Sequence, residues 1–295
     1  MSAVVESEAQ IMPPASGAPG RPLARHRLGP GFWIPMAWTL VVVVLAATAN
    51  LLPLRNPVEA DFTVISNWPD ATYWFGTDQL GRDIFSRAVF GARISLIVGL
   101  LAPALGLGVG IFLGLTAGYF RGRTESVIVA AMDAIMAFPG ILVVLAVTAY
   151  VGANTAILIF LLGFLTIPAF MRVARANTLV FAQREFVLAA RAMGATHWRV
   201  LTLEILPNVI IPMLIYALLV VSRIIVIEGV LSFLGLSVPP PQPTWGNMIA
   251  DGQTDLATLP YAPFIPSALM FLTVLSINLI GEHLRARTDL RGSAL

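Results

Sequence analysis

Six apolar stretches of the sequence are long enough to cross a lipid bilayer as helices. They cover about residues 33–54, 94–119, 127–151, 156–173, 207–230 and 263–284. A spanning helix needs about 20 predominantly apolar residues. Only 12% of the residues are charged, about half of what a soluble domain carries. The sequence therefore predicts an all-α integral membrane protein with six transmembrane helices, the third of them kinked at Phe138-Pro139-Gly140.

The arginines predict the orientation of these helices, because cytoplasmic connections carry an excess of positive charge. With the N-terminus inside, thirteen of the eighteen arginines fall on the cytoplasmic side: Arg21, Arg25, Arg27, Arg121, Arg123, Arg172, Arg175, Arg184, Arg191, Arg199, Arg285, Arg287 and Arg291. Four fall outside: Arg55, Arg82, Arg87 and Arg93. Both termini are therefore predicted to be cytoplasmic.

This orientation divides the chain into five parts. A cytoplasmic tail at 1–32, rich in Pro, Gly, Ala and Ser, is predicted to be disordered. The first helix at 33–54 is followed by an extracytoplasmic segment at 55–93. Five helices at 94–284 form the main membrane domain, and a short cytoplasmic tail at 285–295 ends the chain.

The residue types exclude several classes of site. All eighteen basic residues are arginines, so the lysine that a phosphate-binding P-loop requires is missing. If ATP drives this protein, another subunit must bind it. With no cysteine and three histidines far apart in sequence, we expect no metal site, no cofactor and no catalytic residue in this chain. A net charge of +2 is too small to indicate a nucleic-acid partner.

A polar, helix-prone segment interrupts the apolar pattern at 184–207. Residues 184–193 favour a helix, which Gly194 can end, and a second short element at about 196–203 leads to Pro207, where the fifth span begins. Phe186, Ala190 and Met193 fall at i, i+4 and i+7 and predict an apolar stripe. Such a helix could seat in a groove of a soluble partner or lie on lipid headgroups, and the spacing alone leaves both open.

The same segment resembles the EAA loop of permease subunits in bacterial ATP-binding-cassette (ABC) importers. That loop has the pattern E-A-A-x-x-x-G, nine residues, then I-x-L-P. The matching residues here are Ala189, Ala190, Gly194, Leu206 and Pro207. Leu188 stands where the family has Glu, and Glu204 where it has Ile. The resemblance implies a coupling helix that docks on an ATPase subunit, with Glu185, one turn earlier, as a substitute acid and with Phe186, Arg191 and Met193 on the same loop.

Four further stretches narrow the resemblance. Residues 75–100, 117–147, 228–249 and 274–291 look like the permeases of peptide and nickel importers, and most like the second permease of such systems. The resemblance implies a type I ABC importer fold in the bacterial cytoplasmic membrane. It implies a pore for di- or oligopeptides, with nickel or another small solute as the alternative. The implied partners are a homologous second permease, two ATPase subunits that bind ATP and Mg²⁺, and an extracytoplasmic binding protein.

Two other classes of protein fit the residues less well. An ion-coupled secondary transporter usually shows internal repeats, and none is evident in this sequence. An intramembrane hydrolase needs a nucleophile beside a base, yet the histidines lie at or beyond the ends of the spans.

Some residues within the spans are candidates for packing or for the pore. Gly106, Gly110, Gly114 and Gly118 recur on one helix face and predict close helix packing, with a sliding surface as the alternative. Charged residues inside spans are costly and usually functional. Asp133, Arg223 and Glu228 are therefore predicted either to line the pore or to pair locally, and local pairing is slightly favoured for Arg223.

Two outer segments are too polar to span the membrane. Residues 237–260 are rich in proline and predict an extended path on the outer surface or against the binding protein. Residues 76–83 predict turns that either contact a partner or cap the helix bundle.

Overall fold

The computed structural model describes residues 29–292, and the predicted disordered tail lies almost wholly outside them. Within this range the regular elements are helices, residues 49–83 and 234–244 form turns and irregular backbone, and an isolated β-bridge pairs Thr77 with Asp83. The helices are α1 (Pro30–Thr48), α2 (Ile84–Phe120), α3 (Gly122–Met136), α4 (Gly140–Val151), α5 (Thr155–Phe181), α6 (Glu185–Ala192), α7 (His197–Arg199), α8 (Leu206–Phe233), α9 (Trp245–Gly252) and α10 (Tyr261–Gly292). Following the arginine prediction, we call the end that carries α6 cytoplasmic and the opposite end outer.

Five of the described helices are long and apolar enough to cross a membrane, and a sixth span results if α3 and α4 are taken together. These two helices meet at 70° across residues 137–139. The predicted kink at Pro139 is thus confirmed, and it is a sharp break rather than a gentle bend. Pro139 itself precedes the first residue of α4, a place where its missing amide costs no helical hydrogen bond.

Several helix ends differ from the sequence prediction. Helix α2 begins at Ile84, ten residues before the predicted start, because the Asp83 side chain accepts hydrogen bonds from the amides of Phe85 and Ser86. The non-helical part of the predicted outer segment therefore ends at residue 83. Helix α10 continues to Gly292, past the predicted end of the sixth span. In each case the helix continues into polar residues beyond the apolar span. The hydropathy pattern predicts only the apolar part of such a helix.

Helices α2 and α5 form the tightest contact of the bundle, and the four predicted glycines lie in it. A Cβ atom built on Gly114 would lie 2.5 Å from Cβ of Ala174, and one on Gly118 would lie 2.8 Å from Cβ of Thr178. Gly106 and Gly110 face Thr166 and Phe170 in the same way. All four contacts are within the subunit, so the glycines allow the two helix backbones to pack closely.

Candidate functional site

Helix α6 lies at the cytoplasmic end of the bundle, and Gly194 forms the turn that follows it, as the sequence predicts. Gly194 adopts a φ of +85°, its amide donates to the carbonyl of Arg191 at 3.0 Å, and the amide of Ala195 donates to the carbonyl of Ala190 at 3.1 Å. This pair of bonds is the Schellman arrangement that reverses the chain after a helix. Only glycine adopts this backbone conformation without strain.

The predicted apolar stripe of α6 is divided between two faces. Ala190 is buried together with Val187, and both pack on the hydrophobic core. Phe186 and Met193 are exposed, to 40% and 82% respectively. The prediction that Ala190 shares an apolar stripe with Phe186 and Met193 is wrong. Positions 187 and 190 lie three residues apart on one face of the helix, and that face packs against the bundle. Glu185, Ala189 and Arg191 are exposed on the remaining surface.

An aromatic contact that the sequence did not reveal holds this loop on α2. The hydroxyl of Tyr119, near the end of α2, lies 2.9 Å from Nδ1 of His197. The guanidinium carbon of Arg191 lies 5.9 Å from the centre of the Tyr119 ring, within range of a cation–π attraction. The pair Tyr119-Phe120 at the end of an apolar run was the available signal for this contact.

The predicted second element is continuous with the fifth span. Helix α7, a π-helical turn at Val200–Ile205 and α8 form one helix from His197 to Phe233. Leu206 and Pro207 occupy the first turn of α8. Because Pro207 has no amide to donate, a locally widened turn before it accommodates the helix without a break. The cytoplasmic surface formed by α6, Gly194 and α7 is called the coupling surface below.

Two of the three charged residues predicted inside spans have partners. Glu228 is fully buried and accepts hydrogen bonds from the hydroxyl of Ser95 at 2.8 Å and from that of Ser237 at 3.1 Å. Asp133 pairs with Arg172 of α5 at 2.6 Å. These contacts hold helices together, whatever further role the residues have.

Arg223 differs from these two residues. Among the described residues, no carboxylate lies within ion-pairing distance of its guanidinium group, and its side chain is exposed. It lines a groove of about 460 Å³ between α8, α5 and the α3–α4 bend. The local pairing favoured from the sequence is therefore not present in this part of the chain.

A network of charges joins the outer ends of the helices. Asp78 accepts from Nε of Arg82 at 2.7 Å and lies 3.4 Å from Nε of Arg87. Both arginines also reach Asp251 at the end of α9, at 3.4 and 3.2 Å. Segment 76–83 is thus a structural cap over the bundle, one of the two predicted alternatives. The i, i+4 spacing of Asp78 and Arg82 was the sequence signal for it.

The proline-rich outer segment does not simply lie on the surface. After an irregular turn it forms α9, whose start is fixed by reciprocal hydrogen bonds between Thr244 and Asn247. Trp245 is 1% exposed and donates its Nε1 hydrogen to the carbonyl of Ala88 at 3.0 Å. The predicted surface path is corrected, because Trp245 and Met248 bury one face of α9 among α2, α8 and α10.

This architecture defines a class: a multi-pass helical membrane protein with a short helix seated across its cytoplasmic end. Residues 110–291, more than half of the chain, match the family of binding-protein-dependent transport system inner membrane components. The chain belongs to this family of inner-membrane permeases. The predicted all-α permease fold and multi-pass membrane localisation are thereby confirmed, while the orientation of the termini stays a prediction.

Individual relatives agree with this assignment. The glutathione transport system permease protein GsiD of Pectobacterium atrosepticum is 38% identical over 260 residues, 87% of this chain and 86% of the relative. GsiD of Escherichia coli O6:K15:H31 is 38% identical over 258 residues, 86% and 85% of the two chains. The MetNI methionine ABC transporter in an inward-facing conformation has a similar fold. The TM-score is 0.53 at 16% identity, over 68% of this chain and 97% of that chain.

Proposed function

We propose that this chain is one half of the membrane pore of an ATP-driven importer that moves short peptides into the cytoplasm. The observation that carries the proposal is the coupling surface. It places an exposed apolar and arginine-bearing helix at the end of a bundle whose sequence is similar over nearly its whole length to glutathione permeases. A glutathione-like tripeptide is therefore the first substrate to test.

The proposal includes partners that supply what this chain lacks. A homologous second permease would complete the pore, and an extracytoplasmic binding protein would deliver the solute. Two ATPase subunits would bind ATP and Mg²⁺, since the sequence has no P-loop lysine. Phe186 and Met193 would enter a groove of an ATPase subunit as the apolar anchors of α6.

In this mechanism the coupling surface transmits motion and does no covalent chemistry. Closure of the ATPase dimer would displace α6. Because Val187 and Ala190 are packed on the core and Tyr119 contacts both Arg191 and His197, α2 and α8 would move with it. The pore would then change the side to which it opens.

The test is uptake by the complete complex reconstituted in proteoliposomes with ATP inside. We expect saturable, ATP-dependent accumulation of glutathione or a dipeptide that needs the binding protein. Uptake of Ni²⁺ but not of peptides would instead support the nickel alternative. Accumulation driven by an ion gradient without ATP would reject an ABC importer.

A further inference from the structure

One face of α8 forms a wall of the groove that contains Arg223. Tyr216, Val220, Arg223, Ile227 and Val230 follow one another at spacings of three or four residues and all line it. The other walls come from α5 and from the α3–α4 bend, where Phe138 and Ile141 contribute apolar surface. Among the described residues that line the groove, Arg223 is the only charged one.

Among the described residues, no acidic side chain pairs with Arg223, whereas three other ionisable residues of the spans have polar partners. Asp133 has Arg172, Glu125 has Arg175, and Glu228 has two serine hydroxyls. A cation at membrane depth is costly, so an unpaired arginine facing a cavity indicates a functional group that meets an anion there. The planar guanidinium group matches a carboxylate through two parallel hydrogen bonds.

The groove also has a second polar group in line with the first. Tyr216 lies seven residues before Arg223 on the same face, about 10 Å nearer the cytoplasmic end. No described residue is hydrogen-bonded to its hydroxyl. A volume of about 460 Å³ is typical of cavities that hold a small solute.

We propose that Arg223 binds the carboxylate of the transported solute as it passes along this groove. The inference rests on the proposed function, because a peptide carries a terminal carboxylate and a metal ion does not. In glutathione the glycyl carboxylate is the group to which Arg223 would bind, since the other carboxylate lies beside the ammonium group of the same residue. Tyr216 would then contact the solute two turns further in.

The experiment compares uptake of glutathione with uptake of its glycyl amide by the reconstituted complex. For each variant we take the ratio of the uptake rates of the free acid and the amide. Both solutes use the same binding protein, so a difference in this ratio between the wild type and a variant reports on the membrane step alone. We expect Arg223→Gln to lower the preference for the free acid about tenfold, the loss of one charge-assisted contact. Arg223→Lys keeps the positive charge but not the planar guanidinium group. Its preference for the free acid should lie between those of the wild type and Arg223→Gln.

The control is Arg93→Gln, the same substitution in α2 outside the groove. It should leave the preference unchanged. If Arg223→Gln lowers uptake of acid and amide equally, Arg223 does not bind the solute's carboxylate. If the variant no longer co-purifies with the second permease, the carboxylate belongs to that partner and the inference fails. Should Arg223→Gln not reach the membrane, an unchanged preference in Arg223→Lys overturns it.

The two proposals fail in different ways. A wild-type complex that transports no peptide rejects the proposed function, and this inference with it. A wild-type complex that transports glutathione with the same preference as the Arg223→Gln variant rejects the inference alone.

Discussion

The hydroxyl of Ser95 in α2 donates a hydrogen bond to the carboxyl group of Glu228 in α8, with 2.8 Å between the oxygen atoms. Ser237, beyond the end of α8, donates to the other carboxyl oxygen. One buried acid thus connects two spans and the start of the outer segment. Its full burial and satisfied oxygens indicate a structural role.

Replacing Glu228 by Leu should destabilise the protein. The two serine hydroxyls would lose their acceptor in a buried place, at a cost of about 1–3 kcal/mol. Glu228→Gln keeps one acceptor oxygen and should cost less. Thermal unfolding of the purified subunit in detergent measures both. A Gln variant of normal stability that has lost transport would contradict the structural role. It would favour the alternative prediction that Glu228 lines the pore.

Gly114→Leu should disrupt the packing of α2 on α5. Even a Cβ atom there would lie 2.5 Å from Ala174, so the helices must separate, at a cost of about 1–3 kcal/mol or more. Gly108 of the same helix has open space at its Cβ position and provides the matched control. Gly108→Leu should melt near the wild-type temperature. Equal melting temperatures for the two variants would show that the glycine contact does not hold the helices together.

Gly194→Val should impair coupling between ATP hydrolysis and transport. Its φ of +85° costs an L-residue about 1–2 kcal/mol, and a β-branched side chain stiffens the turn further. We expect reduced uptake at normal membrane abundance, with a smaller effect for Gly194→Ala. Uptake, ATPase stimulation and abundance are measured together.

The control for Gly194 is Gly152→Val. Gly152 also has a positive φ, +92°, and open space around it, but it lies between α4 and α5, far along the chain from the coupling surface. If both valine variants transport equally well at equal abundance, strain at Gly194 has no special effect on coupling.

Cysteine labelling tests the orientation that the arginines predict. The chain has no cysteine, so Arg191→Cys in α6 and Gln242→Cys in the outer segment introduce single exposed thiols. A membrane-impermeant thiol reagent added to intact cells should label position 242 and not 191. Labelling of 191 before the cells are opened would reverse the topology.

The sequence by itself determined the class of the protein and the location of the short helix α6. Apolar length sets which segments can span a bilayer, because backbone groups in lipid must be satisfied within a helix. The local chemistry of Gly194 predicted the turn after α6, and that of Pro139 the break between α3 and α4. Each depends on the conformational limits of a single residue, which the neighbouring sequence cannot change.

Tertiary structure decided what each face and each charge contacts. Ala190 turned inward because the bundle covers one side of a short helix, and Trp245 entered the core because α2 offers the carbonyl of Ala88. The partners of Glu228 lie 133 residues before it and 9 residues after it in the sequence. Apolar periodicity reports that a side chain can be buried. Which neighbour buries it depends on the packing of helices far apart in sequence. The same packing places no acidic side chain of the described residues beside Arg223 in its groove.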